Sequence, residues 1–79
     1  MKVLLFGRLR DVAGWRERTV DGPTILSALR IFLANADPIL GEALAGPGVQ
    51  AAVDKVIVRG DCALSATSEV AFMPPMSGG

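Results

Sequence analysis

The chain has 79 residues, 51% of them hydrophobic, and its eight Lys and Arg balance eight Asp and Glu. It has room for one small core, is too apolar for disorder, and carries no charge excess to recruit nucleic acid or an anionic membrane. With no His, no Tyr and a single Cys, Cys62, it lacks imidazole bases, a transition-metal ligand set and any internal disulfide, so catalysis by the chain alone is not expected.

The first predicted element is a strand from Lys2 to Leu9, whose centre, Val3-Leu4-Leu5-Phe6, is apolar at every position and calls for cover on both faces. The same run resembles the start of a signal peptide, but Arg8, Arg10 and Asp11 cut it short. No stretch approaches the ~18–20 apolar residues of a membrane helix, so no membrane partner and a cytoplasmic location are expected. Asp11 to Trp15, with Gly14, reads as a turn. Arg16 to Val20 reads as a second strand closing a hairpin, broken by Asp21-Gly22-Pro23.

Thr24 is placed to cap a helix whose apolar face is Ile25, Leu26, Leu29, Phe32 and Leu33, ended by Asn35 and Pro38. Ile39 to Leu44 suits a short second helical turn, and Gly46-Pro47-Gly48 is a loop. Val49–Val53 and Val56–Arg59 read as strands joined by a tight Asp54-Lys55 turn. Gly60-Asp61 turns again. Glu69–Met73 is the last strand, stopped by Pro74-Pro75, which cannot donate to a ladder. The order predicts an α+β fold: a mixed sheet of four to five strands with one main helix on one face. It matches the β-grasp arrangement of ubiquitin-like domains, with a domain at 1–73 and a flexible Gly-Gly tail at 74–79.

One helix covers one face of a sheet. Val56-Ile57-Val58 and Val70-Ala71-Phe72-Met73 are apolar on both. If Val56 and Val58 face the helix, Ile57 faces away, and Phe72 and Met73 point to opposite sides. Either the second helical turn covers the remaining face or, the reading we favour, a partner protein does.

The last segment, Pro74 to Gly79, can extend roughly 20 Å beyond the sheet. Pro74-Pro75 would hold its start stiff, and Gly78-Gly79, lacking Cβ atoms, could thread a narrow tunnel. The segment is either a ragged end or a presented carboxylate. In the second case Gly79 is a substrate: a carboxylate of pKa ~3.3–3.7 is ionised and resists attack until it is given a leaving group.

The segment Ala51 to Gly79 resembles the small sulfur-carrier subunit of molybdopterin synthase, the MoaD type. The run EVAFMPPMSGG looks like that family's signature end, VLLFGRLRDVAG fits its first strand and turn, and PTILSALRIFLA fits its helix. The resemblance implies that an E1-like activating enzyme adenylates Gly79 with ATP and that a sulfur donor protein converts it to a thiocarboxylate. The tail, Pro74, Pro75, Met76, Ser77, Gly78 and Gly79, then enters the large catalytic subunit and gives sulfur to the molybdopterin dithiolene. It further implies a heterotetramer of two large and two small subunits, no cofactor bound by this chain, and interface roles for Ile57, Met73 and Arg10. Two departures concern turns only: Asp54 stands where the family often has Asn, and Ala66-Thr67-Ser68 where it usually has an Asp-Gly-Asp type of turn.

Other residues carry plainer readings. Cys62 is a small hydrophobe or bystander rather than a sulfur relay. Trp15 is either half-buried against the first hairpin or an interface anchor. Met76, beyond the last strand, suits a partner groove. Arg8 and Arg10 either end a strand in solvent or steer an anionic partner, and only the resemblance lifts Arg10 above the former. The competing functions are a sulfur carrier or ubiquitin-like modifier of another pathway, such as thiazole synthesis or tRNA thiolation, and a non-catalytic β-grasp interaction module.

Overall fold

The structure, a computed structural model, describes residues 1–75. In chain order it contains β1 (Lys2–Leu5), α1 (Gly7–Ala13), β2 (Glu17–Thr19), α2 (Leu26–Ala36), α3 (Pro38–Leu44), β3 (Gln50–Val53), β4 (Val56–Val58) and β5 (Glu69–Met73). The strands form one mixed sheet in the order β2-β1-β5-β3-β4. β1 and β5 run parallel at its centre, and the other neighbours pair antiparallel. This is the expected β-grasp class, with helices packed on one face.

The first strand is shorter than predicted. Gly7 takes φ +54 directly after Phe6 and ends β1, and residues predicted to continue it form α1 instead. Leu9, Val12 and Ala13 are spaced to bury one helical face, and Leu9 is wholly buried. Gly14 closes α1 in the left-handed conformation, its N–H donating to the Arg10 carbonyl. The predicted turn at Asp11–Trp15 is therefore mostly helix, though β1 and β2 still pair as a hairpin would, with Val3 opposite Arg18.

Thr24 does not cap α2. Residues 24 and 25 are held extended against the 62–64 segment: Ile25 bridges Ala63, Leu26 N donates to Cys62 O, and Leu64 N donates to Thr24 O. The N-cap is Ile25, which supplies no side-chain acceptor. Asp61 supplies it from across the chain, with Oδ1 accepting from Ser27 N at 2.9 Å and Oδ2 from Ser27 Oγ at 2.6 Å. These bonds from Ser27, the side chain first, hold the Asp61 carboxyl below its ordinary value of 3.8. Pro38 both stops α2 and starts α3, where Asp37 caps by accepting from Ile39 N and Leu40 N. α3 packs tightly on α2: a Cβ on Gly41 would lie 2.5 Å from Ala34 Cβ.

The core lies between the helices and one sheet face. Val3, Leu5, Val70 and Phe72 from the central strands meet Leu9, Leu26, Leu29, Leu33, Leu40 and Leu44 from the three helices. Cys62 is half-buried against this cluster, as its bland reading has it. Trp15 is also half-buried, with the Arg18 guanidinium 4.6 Å from its ring centre. The departures in turn chemistry are absorbed locally. Asp54 and Lys55 adopt φ +49 and +71, as a tight hairpin turn requires, and Asp54 Oδ1 accepts from Glu69 N at 2.9 Å. Ser68 is buried, and its Oγ accepts from Ser65 N at 2.9 Å, closing the 65–68 turn without an Asp-Gly pair.

Candidate functional site

The sheet face opposite the helices is built by strand alternation. Register places Leu4 beside Ala71, Ala71 beside Ala52, and Ala52 beside Ile57, so one row of apolar side chains crosses four strands. Met73, two residues beyond Ala71, and Phe6, two residues beyond Leu4, extend the patch toward the end of β5. Phe6 is still extended, its N–H donating to Phe72 O. Ile57 and Phe6 are 45% and 46% exposed, whereas Phe72, one residue from Met73, is 0% exposed. Glu17 pairs with Leu4 at one end of the row, and Lys2 pairs with Glu69 along the neighbouring row, so charge rims an apolar centre. That is the anatomy of a protein interface.

Ile57 and Met73 therefore share this face, separated by β3, a span of about 10 Å. Arg10 does not join them. It is exposed in α1, on a helix rather than at a strand end, with Nε 3.9 Å from the Asp11 carboxylate. Val56 has the expected helix-facing parity but is 64% exposed, because β4 is the outermost strand of the sheet. Leu4 and Phe6 belong to the patch and were not nominated as site residues. The signal was the fully apolar run Val3–Phe6, which demands cover on both faces.

The face runs directly into the tail. Met73 is followed by Pro74, which is half-buried, and Pro75, which is exposed. Met76, Ser77, Gly78 and Gly79 lie outside the described residues. Among the described residues there is no group of three or more His, Cys, Asp or Glu that could hold a metal ion, and no helix long and apolar enough to cross a membrane. What the described part can do chemically is dock a protein on an apolar face beside the root of the tail.

Four likenesses to known proteins bear on this arrangement. Residues 3–79 match the ThiS family. The chain is 37% identical over 81 residues to the molybdopterin synthase sulfur carrier subunit of Escherichia coli (strain K12), covering 100% of this chain and 99% of that protein. Its fold superposes on the crystal structure of SAMP1 from Haloferax volcanii with a TM-score of 0.82 and 29% identity, covering 100% of this chain and 98% of the other. A second crystal structure, of the H. volcanii small archaeal modifier protein 1, shares the fold at a TM-score of 0.77 and 24% identity, covering 96% and 97%.

Proposed function

Because the chain belongs to the ThiS family, as a sulfur carrier of the MoaD/ThiS type with a ubiquitin-like β-grasp fold, we propose that its cargo is held as a thiocarboxylate on Gly79. The Gly79 carboxylate attacks the α-phosphorus of ATP on an E1-like activating enzyme, and pyrophosphate leaves. A persulfide sulfur on a donor protein attacks the acyl carbon of the resulting adenylate and displaces AMP, and a second thiol then cleaves the S–S bond of this acyl disulfide, leaving the thiocarboxylate on Gly79 and a disulfide on the donor. The carrier supplies the acyl group and the docking face, and the activating enzyme supplies ATP binding and catalysis. The observation that carries this reading is that docking face and tail share β5: Met73, part of the apolar patch, is followed at once by Pro74. A partner seated on Leu4, Ile57 and Met73 receives the tail without searching for it.

For the destination we propose the large catalytic subunit of a molybdopterin synthase, in an assembly of two large and two small subunits. There the thiocarboxylate sulfur passes to cyclic pyranopterin monophosphate, and two carriers complete one dithiolene. The 37% identity over the whole chain to the sulfur carrier subunit of that enzyme supports this. A second reading has its own support in the likeness to SAMP1 at a TM-score of 0.82. Here the activated Gly79 acyl group serves another thiolation pathway or is captured by a lysine amine, as a modifier would be.

The readings separate in one experiment. Thiocarboxylated chain is offered the large subunit with the pterin precursor and, separately, a cell extract with ATP and activating enzyme. Loss of sulfur from Gly79 with formation of dithiolene in the first mixture is the expected result. Retention of sulfur there, with lysine-linked conjugates in the second, would replace the molybdopterin destination by the modifier reading.

A further inference from the structure

Two glycines flank the point where β5 leaves the sheet. β1 is parallel to β5 and β3 antiparallel to it, so the end of β1 and the start of β3 lie on either side of the end of β5. Gly7 comes two residues after β1, and Gly48 two residues before β3. A Cβ on Gly7 would lie 2.9 Å from Pro74 Cγ, and one on Gly48 would lie 2.7 Å from Pro75 Cβ and 3.6 Å from Pro75 Cα. No side chain fits at either place unless the proline moves.

Both glycines also have positive φ, +54 and +80, so their turns favour glycine on backbone grounds alone. The other positive-φ glycines show that the proline contact is a separate feature. Gly14, Gly22 and Gly60, at φ +82, +114 and +88, have nothing within 4 Å of an added Cβ. Among the positive-φ glycines of the described residues, only the two at the end of β5 are closed, and each is closed by a tail proline.

We infer that Gly7 and Gly48 form a slot that seats Pro74 and Pro75 and thereby aims the segment bearing Gly79. They are positioning residues that act through the prolines, and the inference rests on the carrier reading above. Each proline ring fixes its own φ near −65°, so with both rings seated the direction of the chain at Pro75 is fixed by the folded domain. Gly79 lies four positions beyond Pro75, a stretch that can span up to about 13 Å, so a tilt of about 10° at the slot displaces the far end by about 2 Å. Misplacing a reacting group by 1 Å can cost about a hundredfold in rate. The slot matters because its errors are magnified along the tail.

The test compares wild type, Gly48→Ala and Gly60→Ala with the activating enzyme, ATP and sulfide, reading kcat and KM for thiocarboxylate formation by mass spectrometry, together with Tm. Both alanines meet the same positive-φ strain, so both variants should show a similar fall in Tm. Only Gly48→Ala should lose kcat, about tenfold or more, with KM unchanged because the docking face is intact. Should Gly48→Ala fail to fold, the Pro74→Ala/Pro75→Ala double variant, altered only beyond β5, should show the same loss of kcat at constant KM. A Gly48→Ala chain whose kcat matches that of Gly60→Ala, or a double variant with wild-type kcat, overturns the slot while leaving the carrier reading in place. A wild-type chain that takes up no sulfur overturns both.

Discussion

On the helix-covered face of the sheet Val3, Leu5, Val70 and Phe72 are wholly buried, whereas Leu4, Ala71 and Met73, their neighbours on the same strands, remain partly exposed on the other. The residue types are nearly the same, and what differs is the cover. Leucines from α1, α2 and α3 all converge on one side, and no described element crosses the other. An apolar side chain left half in water contributes little to folding and much to association. One face therefore holds the domain together, and the other, at the root of the tail, is the face we propose for a second protein.

The largest effect that would sharpen this contrast lies outside both faces. Deleting Gly79 should abolish thiocarboxylate formation while leaving urea unfolding unchanged, because neither face loses an atom. Loading by the truncated chain would break the link between docking face and tail.

A matched pair comes next. Phe72→Ala, on the covered face, should cost about 3–5 kcal/mol in chemical denaturation. Ile57→Asp, on the open face, should change stability by less than about 0.5 kcal/mol yet weaken calorimetric binding to the large subunit by at least about tenfold, or ~1.4 kcal/mol. Equal destabilisation by the two would mean that the open face is part of the folding core.

Smaller effects concern the turns that frame the sheet. Lys55→Gly should stabilise by about 0.5 kcal/mol: relief of a left-handed residue is worth about 1–2 kcal/mol, and glycine's entropy returns about 0.5–1 of it. The Tm of the single variant reads this directly, and a fall would show that the Asp54-Lys55 turn is not strained.

The smallest concerns pH. The native carboxyl of Asp61 is depressed by Ser27, so its contribution is present above its unfolded value, near 3.8. It is lost as pH falls through the lower native value. Asp61→Asn should therefore flatten the acid side of the stability profile below about pH 4 and leave the neutral side almost parallel to wild type. An unchanged acid limb would remove Asp61 as the cap of α2.

Much of this was legible in the chain. Apolar runs within Val49–Met73, bounded by the Gly-Pro-Gly loop, the Asp54-Lys55 turn and Pro74-Pro75, set out β3, β4 and β5, and the spacing of Ile25, Leu26, Leu29, Phe32 and Leu33 marked α2, although Ile25 and Phe32 stay exposed. α1 was hidden because the apolar run Val3–Phe6 suggested that the strand continued. The breaker Gly7 and the Leu9-Val12-Ala13 spacing were the signals against it. The α2 cap was unreadable for a different reason: Asp61 lies 34 positions from Ser27, and a local search finds only Thr24. The same limit applies to the site. Parity turned Ile57 away from the helix and set Phe72 and Met73 on opposite sides, and the family resemblance paired Ile57 with Met73, but joining Leu4 and Phe6 to them required knowing that β5 sits between β1 and β3. The proline slot needed the same pairing, since Gly7 and Gly48 are 41 positions apart and meet only at the end of β5.

The most direct measurement is the mass of the C-terminal peptide after the chain has been incubated with its activating enzyme, ATP and a sulfur source. One oxygen replaced by sulfur, located at Gly79, is the predicted result. A peptide of unaltered mass, while the enzyme turns ATP over on the same chain, would contradict the account.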